Sequence, residues 1–467
     1  MNRRDFLKQC AVTGIAGSIS SAASGAGAQL GNKTFNLRLG KRRYNVLFVF
    51  VDQWRFCSLG HGPNHDPDVI TPNLDKLAKQ GAHWSRCYAT HPVCTPNRSA
   101  VITGRWPWQT GMNQNDLMLP PEERCIAQHF TEAGYKSHYI GKWHMDGNAK
   151  PGFVPQGWRR RGFTTFEGFN RGHFYFNSPT FTNDGDMMRD IGLYESGDYE
   201  PTLQADLAID FMRNNQKNPF FCFVSWGPPH GPYTPPAEYD IYNASEMTYR
   251  PNVPDDKVGN TRQEGYFGSI TALDHEFGRL MKSLKDLDLE DDTLVVFTAD
   301  HGDMIYSHGL SYKGKPEEES WHIPLLMRLP GKIDSGQITD TLISTADLMP
   351  TVMSLAGLDD PTTCTGIDKT QALNGGHMPD ASVYGGVQDR WRAVVKGDHK
   401  LIVEQIDGNE VATRMYNLST DPYEMTNIIN ETSVQTVKDD LWAEYLQWKD
   451  KTQDSFPEYP WLAENMY

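Results

Sequence analysis

The chain lacks any apolar run approaching the roughly 20 residues that a membrane-spanning helix needs, so no membrane span is expected in its 467 residues. Cysteine is sparse. The seven positions (10, 57, 87, 94, 125, 222 and 364) form no spaced framework and no Cys-x-x-Cys pair, which argues against a disulfide scaffold and gives no sign of zinc or thiol-redox chemistry. Positive charge is short as well: 44 Lys and Arg stand against 59 Asp and Glu, a formal charge of −15. That outer field disfavours nucleic acid or an anionic membrane as partner. If the substrate is itself an anion, the cations that hold it must be gathered inside a pocket around acidic ligands. Internal repeats are missing too. What the chain does have is 38% hydrophobic and 11% aromatic residues, enough for a folded core, and a length that predicts one large or two unequal domains.

The N-terminus reads as an export signal. Arg3-Arg4-Asp5-Phe6-Leu7-Lys8 opens a weakly apolar stretch, and small residues follow as far as Ala26-Gly27-Ala28. Residues 1–28 therefore read as a twin-arginine signal peptide, with a periplasmic or secreted destination. Lys8 and Gln9 precede Cys10 where a lipoprotein box requires small residues.

Beyond it, residues 44–51 form a continuous apolar run rich in β-branched and aromatic side chains, ending at Asp52. Such a run predicts a strand buried on both faces. Further strands are expected at 136–140, 220–226 and 293–298, and helices at 74–80, 121–133, 202–214 and 270–287. The alternation predicts an α/β fold with a large, mostly parallel sheet flanked by helices. Polar residues recur just past the strand ends: Asp52, Lys142 with His144, His230, and Asp300 with His301. In open α/β sheets that edge is where ligands bind. Near residue 375 the grammar changes to short strands at 383–387, 392–395 and 400–404, then a helix at 434–449. These predict a smaller α+β domain with an antiparallel sheet, giving a catalytic domain at 41–374 and a C-terminal domain at 375–467. Residues 147–198 are rich in Gly, Arg and aromatics without period, and read as a long functional loop.

The most informative segment is Cys94-Thr95-Pro96-Asn97-Arg98, continued by Thr103-Gly104-Arg105. It resembles the Cys-x-Pro-x-Arg element of the formylglycine-dependent sulfatase family. The rest follows in that family's order: Val51-Asp52-Gln53, Gly141-Lys142-Trp143-His144, Pro229-His230-Gly231, Ala299-Asp300-His301-Gly302, Lys313, and Asn417-Leu418-Ser419-Thr420-Asp421-Pro422. The resemblance spans roughly residues 44 to 430 and implies an alkaline phosphatase-like fold. Asn97 departs from it, because Ser commonly occupies that position.

The resemblance implies that Cys94 is oxidised to formylglycine by a maturation enzyme, cytoplasmic if the twin-arginine route carries the folded protein out. It implies one divalent cation held by Asp52, Gln53, Cys94, Asp300 and His301. Hard oxygens suit calcium, while the nitrogen of His301 leaves magnesium open. Lys142 and Lys313 are expected to hold sulfate, Arg98 to orient the modified side chain, His230 to act as acid and His144 as base. A sulfated carbohydrate is the expected substrate. Arginines 159–161, the stretch Arg171-Gly172-His173-Phe174-Tyr175-Phe176, and Arg390, Trp391 and Arg392 are its candidate contacts. Two other readings fit the motifs: a phosphonate monoester or phosphodiester hydrolase of the same superfamily, and an inactive sugar-binding relative.

Overall fold

The computed structural model describes residues 42–456 apart from 196, 360, 379 and 380; the expected export segment lies outside the described residues. In chain order the strands of the large domain are β1 (Asn45–Asp52), β2 (Ala82–Trp84), β3 (Cys87–Tyr88), β4 (Lys136–Lys142), β5 (Thr165–Phe169), β6 (Phe220–Pro229) and β7 (Thr293–Ala299). They are followed by β8 (His322–Ile323), β9 (Leu325–Arg328), β10 (Gln337–Thr339) and β11 (Ile343–Ser344). Eight of them make one sheet in the order β10-β2-β9-β7-β1-β6-β4-β5, and β11-β3-β8 make a small second one. From β7 to β5 every pairing is parallel; only β9 runs antiparallel to its neighbours. Every residue of β1 and β6 is buried, so both faces of the central sheet are covered, as continuous apolar runs require. Phe48, Phe223, Tyr139 and Phe166 stack nearly face to face across four strands, with centroids 4.7, 5.2 and 5.0 Å apart.

The helices depart from expectation for local reasons. The helix expected at 121–133 is Ile126–Glu132, because Gln128 folds back to accept a hydrogen bond from the Cys125 amide and starts the helix there. The helix expected at 270–287 begins a turn or more earlier, as Gln263–Asp286. Gly265 resembles a breaker in sequence, but a Cβ there would sit 2.1 Å from the Tyr233 carbonyl oxygen; its bare backbone lets the helix lie against that loop. Strand β5 was not foreseen within residues 147–198.

The C-terminal sheet is antiparallel, β12 (Ser382–Val387), β13 (Trp391–Lys396), β14 (His399–Ile406) and β15 (Asn409–Asn417), and the fourth of these strands was not foreseen. Leu441, Tyr445 and Trp448 of the helix Gln435–Thr452 share a core with Val394, Leu401 and Met415. Both sheets belong to one compact unit. Across the seam, the Gly386 amide donates to the Thr90 carbonyl at 3.1 Å, next to the point where the Trp321 indole donates to the Ala89 carbonyl at 2.6 Å. At Gly385 a Cβ would meet the Trp321 indole nitrogen at 2.7 Å, so this close approach requires glycine. Among the described residues no helix is long and apolar enough to cross a membrane, and Cys57, Cys87, Cys94, Cys125 and Cys222 are free thiols.

A buried ion cluster ties the seam. The Lys400 ammonium, with no exposed side-chain surface, donates to the Pro316 carbonyl at 2.8 Å and to Glu318 at 2.9 Å, and also pairs with Glu424. Removing one partner of such a cluster leaves charge buried without compensation. Lys400→Met is expected to lower stability by about 3–5 kcal/mol, measured as the midpoint of chemical denaturation. Lys282→Met, which breaks an exposed pair with Asp286, should change it by less than about 1 kcal/mol. Equal effects from the two would show that the seam does not depend on this ammonium.

Candidate active site

The four adjacent parallel strands β7, β1, β6 and β4 deliver their chemistry at one edge. Asp52 closes β1 and Lys142 closes β4; His230 follows β6, and Asp300 with His301 follows β7. A register shift between Val51 and Asp52 brings Asp52 opposite Pro229 instead of its expected neighbour. Cys94 opens the helix Cys94–Thr103, whose N-terminus turns partial positive charge toward the site. Arg98 lies four residues on, hence on the same face of that helix.

These side chains meet. The Cys94 Sγ is 3.0 Å from Lys313 Nζ, 3.3 Å from His301 Nε2, 3.6 Å from Asp52 Oδ1 and 4.0 Å from Lys142 Nζ. Burial and Asp52 push the thiol up, but Lys142, Lys313 and His301 outweigh them and hold it well below the ordinary range. Burial likewise opposes ionisation of Asp52, and Lys142, Arg98 and Lys313 together pull it well below the usual carboxylate range. Asp300 goes the other way, raised by burial and by Asp52. Arg98 donates to Asp300 Oδ2 at 3.0 Å, Asp52 Oδ2 at 3.2 Å, Ser225 Oγ at 2.8 Å and the Lys142 carbonyl at 3.0 Å. Its partners in the structure thus include both carboxylates of the site, and its expected role is to orient the side chain of residue 94.

A divalent cation fits this donor set. Ligating atoms of Asp52, Cys94, Asp300 and His301 all lie within 4.8 Å of one another. Gln53 adds an independent sign. Its Nε2 donates to Asp303 Oδ2 at 2.6 Å and to the Tyr233 hydroxyl at 3.3 Å, while its buried Oε1 has no hydrogen-bond partner. A buried acceptor left bare costs about 1–3 kcal/mol, and a cation held by hard oxygens would satisfy it. Asn97, the departure from the motif, has a local explanation: its Nδ2 donates to the Asp300 carbonyl at 2.6 Å, and its Oδ1 accepts from Thr90 and Thr345.

The histidines divide into two groups. His230 lies 2.8 Å from Lys313 Nζ and stacks on His173 with centroids 3.7 Å apart. Burial and Lys313 push its imidazolium down to about 3. His173, flagged in sequence only as a substrate contact, lies 3.4 Å from Lys142 Nζ, and its Nδ1 is 3.0 Å from the Tyr175 hydroxyl. His144 sits apart from these, its Nε2 2.9 Å from Asp116 Oδ1. Sequence reasoning missed Asp116, which stands in a loop outside every motif. Other candidate contacts are committed elsewhere. Arg159 pairs with Asp146, Arg160 donates to Val154 and Asn183, and Arg161 donates to the Leu119 carbonyl. Arg392 is buried against Asp454. Trp391 is buried, donating to the Gly314 carbonyl at 3.0 Å, so it braces the loop that carries Lys313.

Comparison with known proteins agrees with this geometry. The family described as Sulfatase matches residues 44–358, and the one described as N-sulphoglucosamine sulphohydrolase, C-terminal, matches residues 307–451. The chain is 30% identical over 418 residues to an ulvan-active sulfatase of Formosa agariphila, covering 85% of this chain and 80% of that protein. A putative sulfatase yidJ from Bacteroides fragilis superposes with a TM-score of 0.79 at 26% identity, over 89% of this chain and 97% of that one. A phosphonate monoester hydrolase of Agrobacterium radiobacter shares the fold, with a TM-score of 0.71 at 21% identity over 88% and 96% of the two chains. A phosphatase-like α/β scaffold carrying this edge defines an ester hydrolase of tetrahedral anions. The chain belongs to the sulfatase family, whose members hydrolyse sulfuric esters.

Calcium should raise the thermal unfolding midpoint of the protein, because a cation bound only by the native state adds about 2.7 kcal/mol at a hundred times its Kd. Asp300→Asn should remove most of that shift. A midpoint indifferent to both calcium and magnesium would rule out the cation site.

Proposed function

We propose that this protein hydrolyses sulfate esters on polysaccharide-derived sugars, using a formylglycine made from Cys94 and a bound calcium ion. The observation that carries the reading is the convergence of two lysine ammoniums, two carboxylates and an imidazole on one buried cysteine at the head of a helix. In the structure that sulfur stands where the oxygens of the modified side chain would be. Oxidised and hydrated, residue 94 supplies an oxygen nucleophile with a second hydroxyl for its own release. When bound, the cation supplies a Lewis acid that neutralises charge on sulfate oxygens and acidifies a neighbouring hydroxyl.

The chain's own residues do the rest. Lys142 and Lys313 approach the sulfur from within 4.0 Å, and are placed to hold sulfate oxygens as negative charge grows on them. Arg98 keeps both carboxylates fixed and paired. His230 Nδ1 lies 2.9 Å from the Gly231 carbonyl, which only accepts, so Nδ1 carries the proton and Nε2 the lone pair. In the free site His230 is therefore a neutral group facing the Lys313 ammonium. A sulfate anion drawn between the lysines offsets the Lys313 charge, which together with burial depresses it, so that Nε2 takes a proton from solvent and passes it to the departing alcohol. His144 serves as base, taking a proton from the hydroxyl of residue 94.

The ulvan-active relative supports a carbohydrate sulfate as substrate. Export by the twin-arginine route to the periplasm or beyond belongs to the same proposal, with conversion of Cys94 by a cytoplasmic formylglycine-generating enzyme before translocation. Unmodified Cys94 in the exported protein would count against that order of events.

The decisive experiment measures inorganic sulfate released from a panel of sulfated oligosaccharides, with phosphonate and phosphate diesters alongside, from protein co-produced with a maturation enzyme. Sulfate release is expected, and Cys94→Ala should abolish it. Turnover confined to the phosphorus esters would transfer the function to the phosphonate hydrolase branch. His230→Ala should slow esters of poor leaving groups far more than activated aryl sulfates; equal losses would remove His230 from the role of acid.

A further inference from the structure

We propose that Asp116 is the positioning residue that makes His144 a base: it takes the Nε2 proton in a hydrogen bond, keeps the Nδ1 lone pair free and stabilises the imidazolium formed when Nδ1 is protonated. The inference rests on the sulfatase reading and names a part of the site that no motif contains.

Two contacts and one unpartnered atom define the pair. A carboxylate only accepts, so at 2.9 Å from Asp116 Oδ1 the His144 Nε2 must be the donor. In the neutral ring Nδ1 is then the nitrogen with the lone pair, and it is buried with no hydrogen-bond partner among the described residues. The ring is held from behind by a backbone in the left-handed region, φ 59°, whose amide donates to the Asn170 carbonyl at 2.5 Å. Such a conformation is costly for a residue with a Cβ and clusters at functional sites.

Thr95, next to the nucleophile position, ties the pair to the reaction centre. Its hydroxyl donates to the His144 carbonyl at 2.7 Å and accepts from the Asp116 amide at 3.4 Å, while its own amide donates to Asn115 Oδ1 at 3.0 Å. The Asp116 loop is registered against the chain after His144 by two backbone hydrogen bonds, Leu119 to Met145 at 3.1 Å and Gly147 to Leu117 at 3.3 Å. Arg171 pairs with the second carboxylate oxygen of Asp116. The hydrogen bond from His144, with help from Arg171, holds this carboxyl below its usual range, so it is ionised at neutral pH.

In the step this serves, a proton passes from a hydroxyl of residue 94 to Nδ1. The O–H electron pair closes the aldehyde carbonyl, and the C–O bond to the departing sulfate breaks with its pair. The imidazolium later returns its proton to solvent. A carboxylate bound to the far nitrogen of the ring is how other hydrolases hold a histidine in the working tautomer.

Asp116→Ala and the isosteric Asp116→Asn are the test. Both should lower kcat by about 100-fold with KM unchanged within about threefold, since the base acts after substrate is bound. The second readout is independent of turnover: ¹⁵N NMR of the imidazole in unmodified protein, with His144 assigned by its loss in His144→Gln. The parent protein should show only the Nε2–H tautomer, and Asp116→Ala should populate Nδ1–H. Full kcat in Asp116→Ala, or an Nδ1–H tautomer in the parent, overturns the proposal. Absence of sulfate release by the parent overturns the sulfatase reading instead, and the NMR result still decides the pair.

Discussion

Two carboxylates, Asp52 and Asp300, are taken wholly out of water beside one another, and most of the site follows from keeping them charged there. Each buried ion carries a desolvation penalty of several kcal/mol, and like charges in one cavity raise each other's affinity for protons. Arg98 is the structural answer. It is itself buried, donates to both carboxylates, and stacks its guanidinium 5.2 Å above the Phe50 ring. Because it lies one helical turn past Cys94, one short helix supplies the counter-ion and the reacting residue together. Lys142 then neutralises Asp52 from the end of β4, two strands away in the sheet, and the cation that Gln53, His301 and the carboxylates would hold completes the balance.

That arrangement also resolves how an acidic protein handles an acidic substrate. The cations are few, but Arg98, Lys142 and Lys313 are concentrated where the central strands end. Low exposure strengthens each interaction, so three cations inside a cleft count for more than many on a surface. The C-terminal domain contributes through Trp391, which braces the loop carrying Lys313, and through Lys400, which fixes the chain just beyond it. The smaller sheet is therefore part of the site's scaffold and not an appendage.

Legibility followed the range of the interactions. The parallel sheet was readable because β1, β6 and β7 are continuous apolar runs, and a strand buried on both faces permits little else. Helix limits were less so: Gly265 looks like a stop until the Tyr233 loop that needs its missing Cβ is in place. Strands β5 and β15 were missed because their sequences alternate weakly and owe their form to an existing edge. In the site, Asp52, Lys142, His230 and Asp300 could be named from their place after strands, with the family motif singling out Cys94 and Arg98. The arginines at 159–161 misled, since a charged run in sequence carries no sign of whether carboxylates and carbonyls await it.

The sequence by itself determined the fold class, the strand edge that bears the chemistry, and the residue types gathered there, because hydrophobic period and motif spacing are local properties of the chain. Only the tertiary structure decided which of those groups pair. It left Gln53 Oε1 bare and used Asn97 to fasten the Asp300 carbonyl. It set His173 against His230 and brought Asp116 from an unremarked loop to His144. Hydrogen bonds between residues dozens to hundreds of positions apart depend on where folded segments come to rest, and nothing in the neighbouring sequence of either partner records the other.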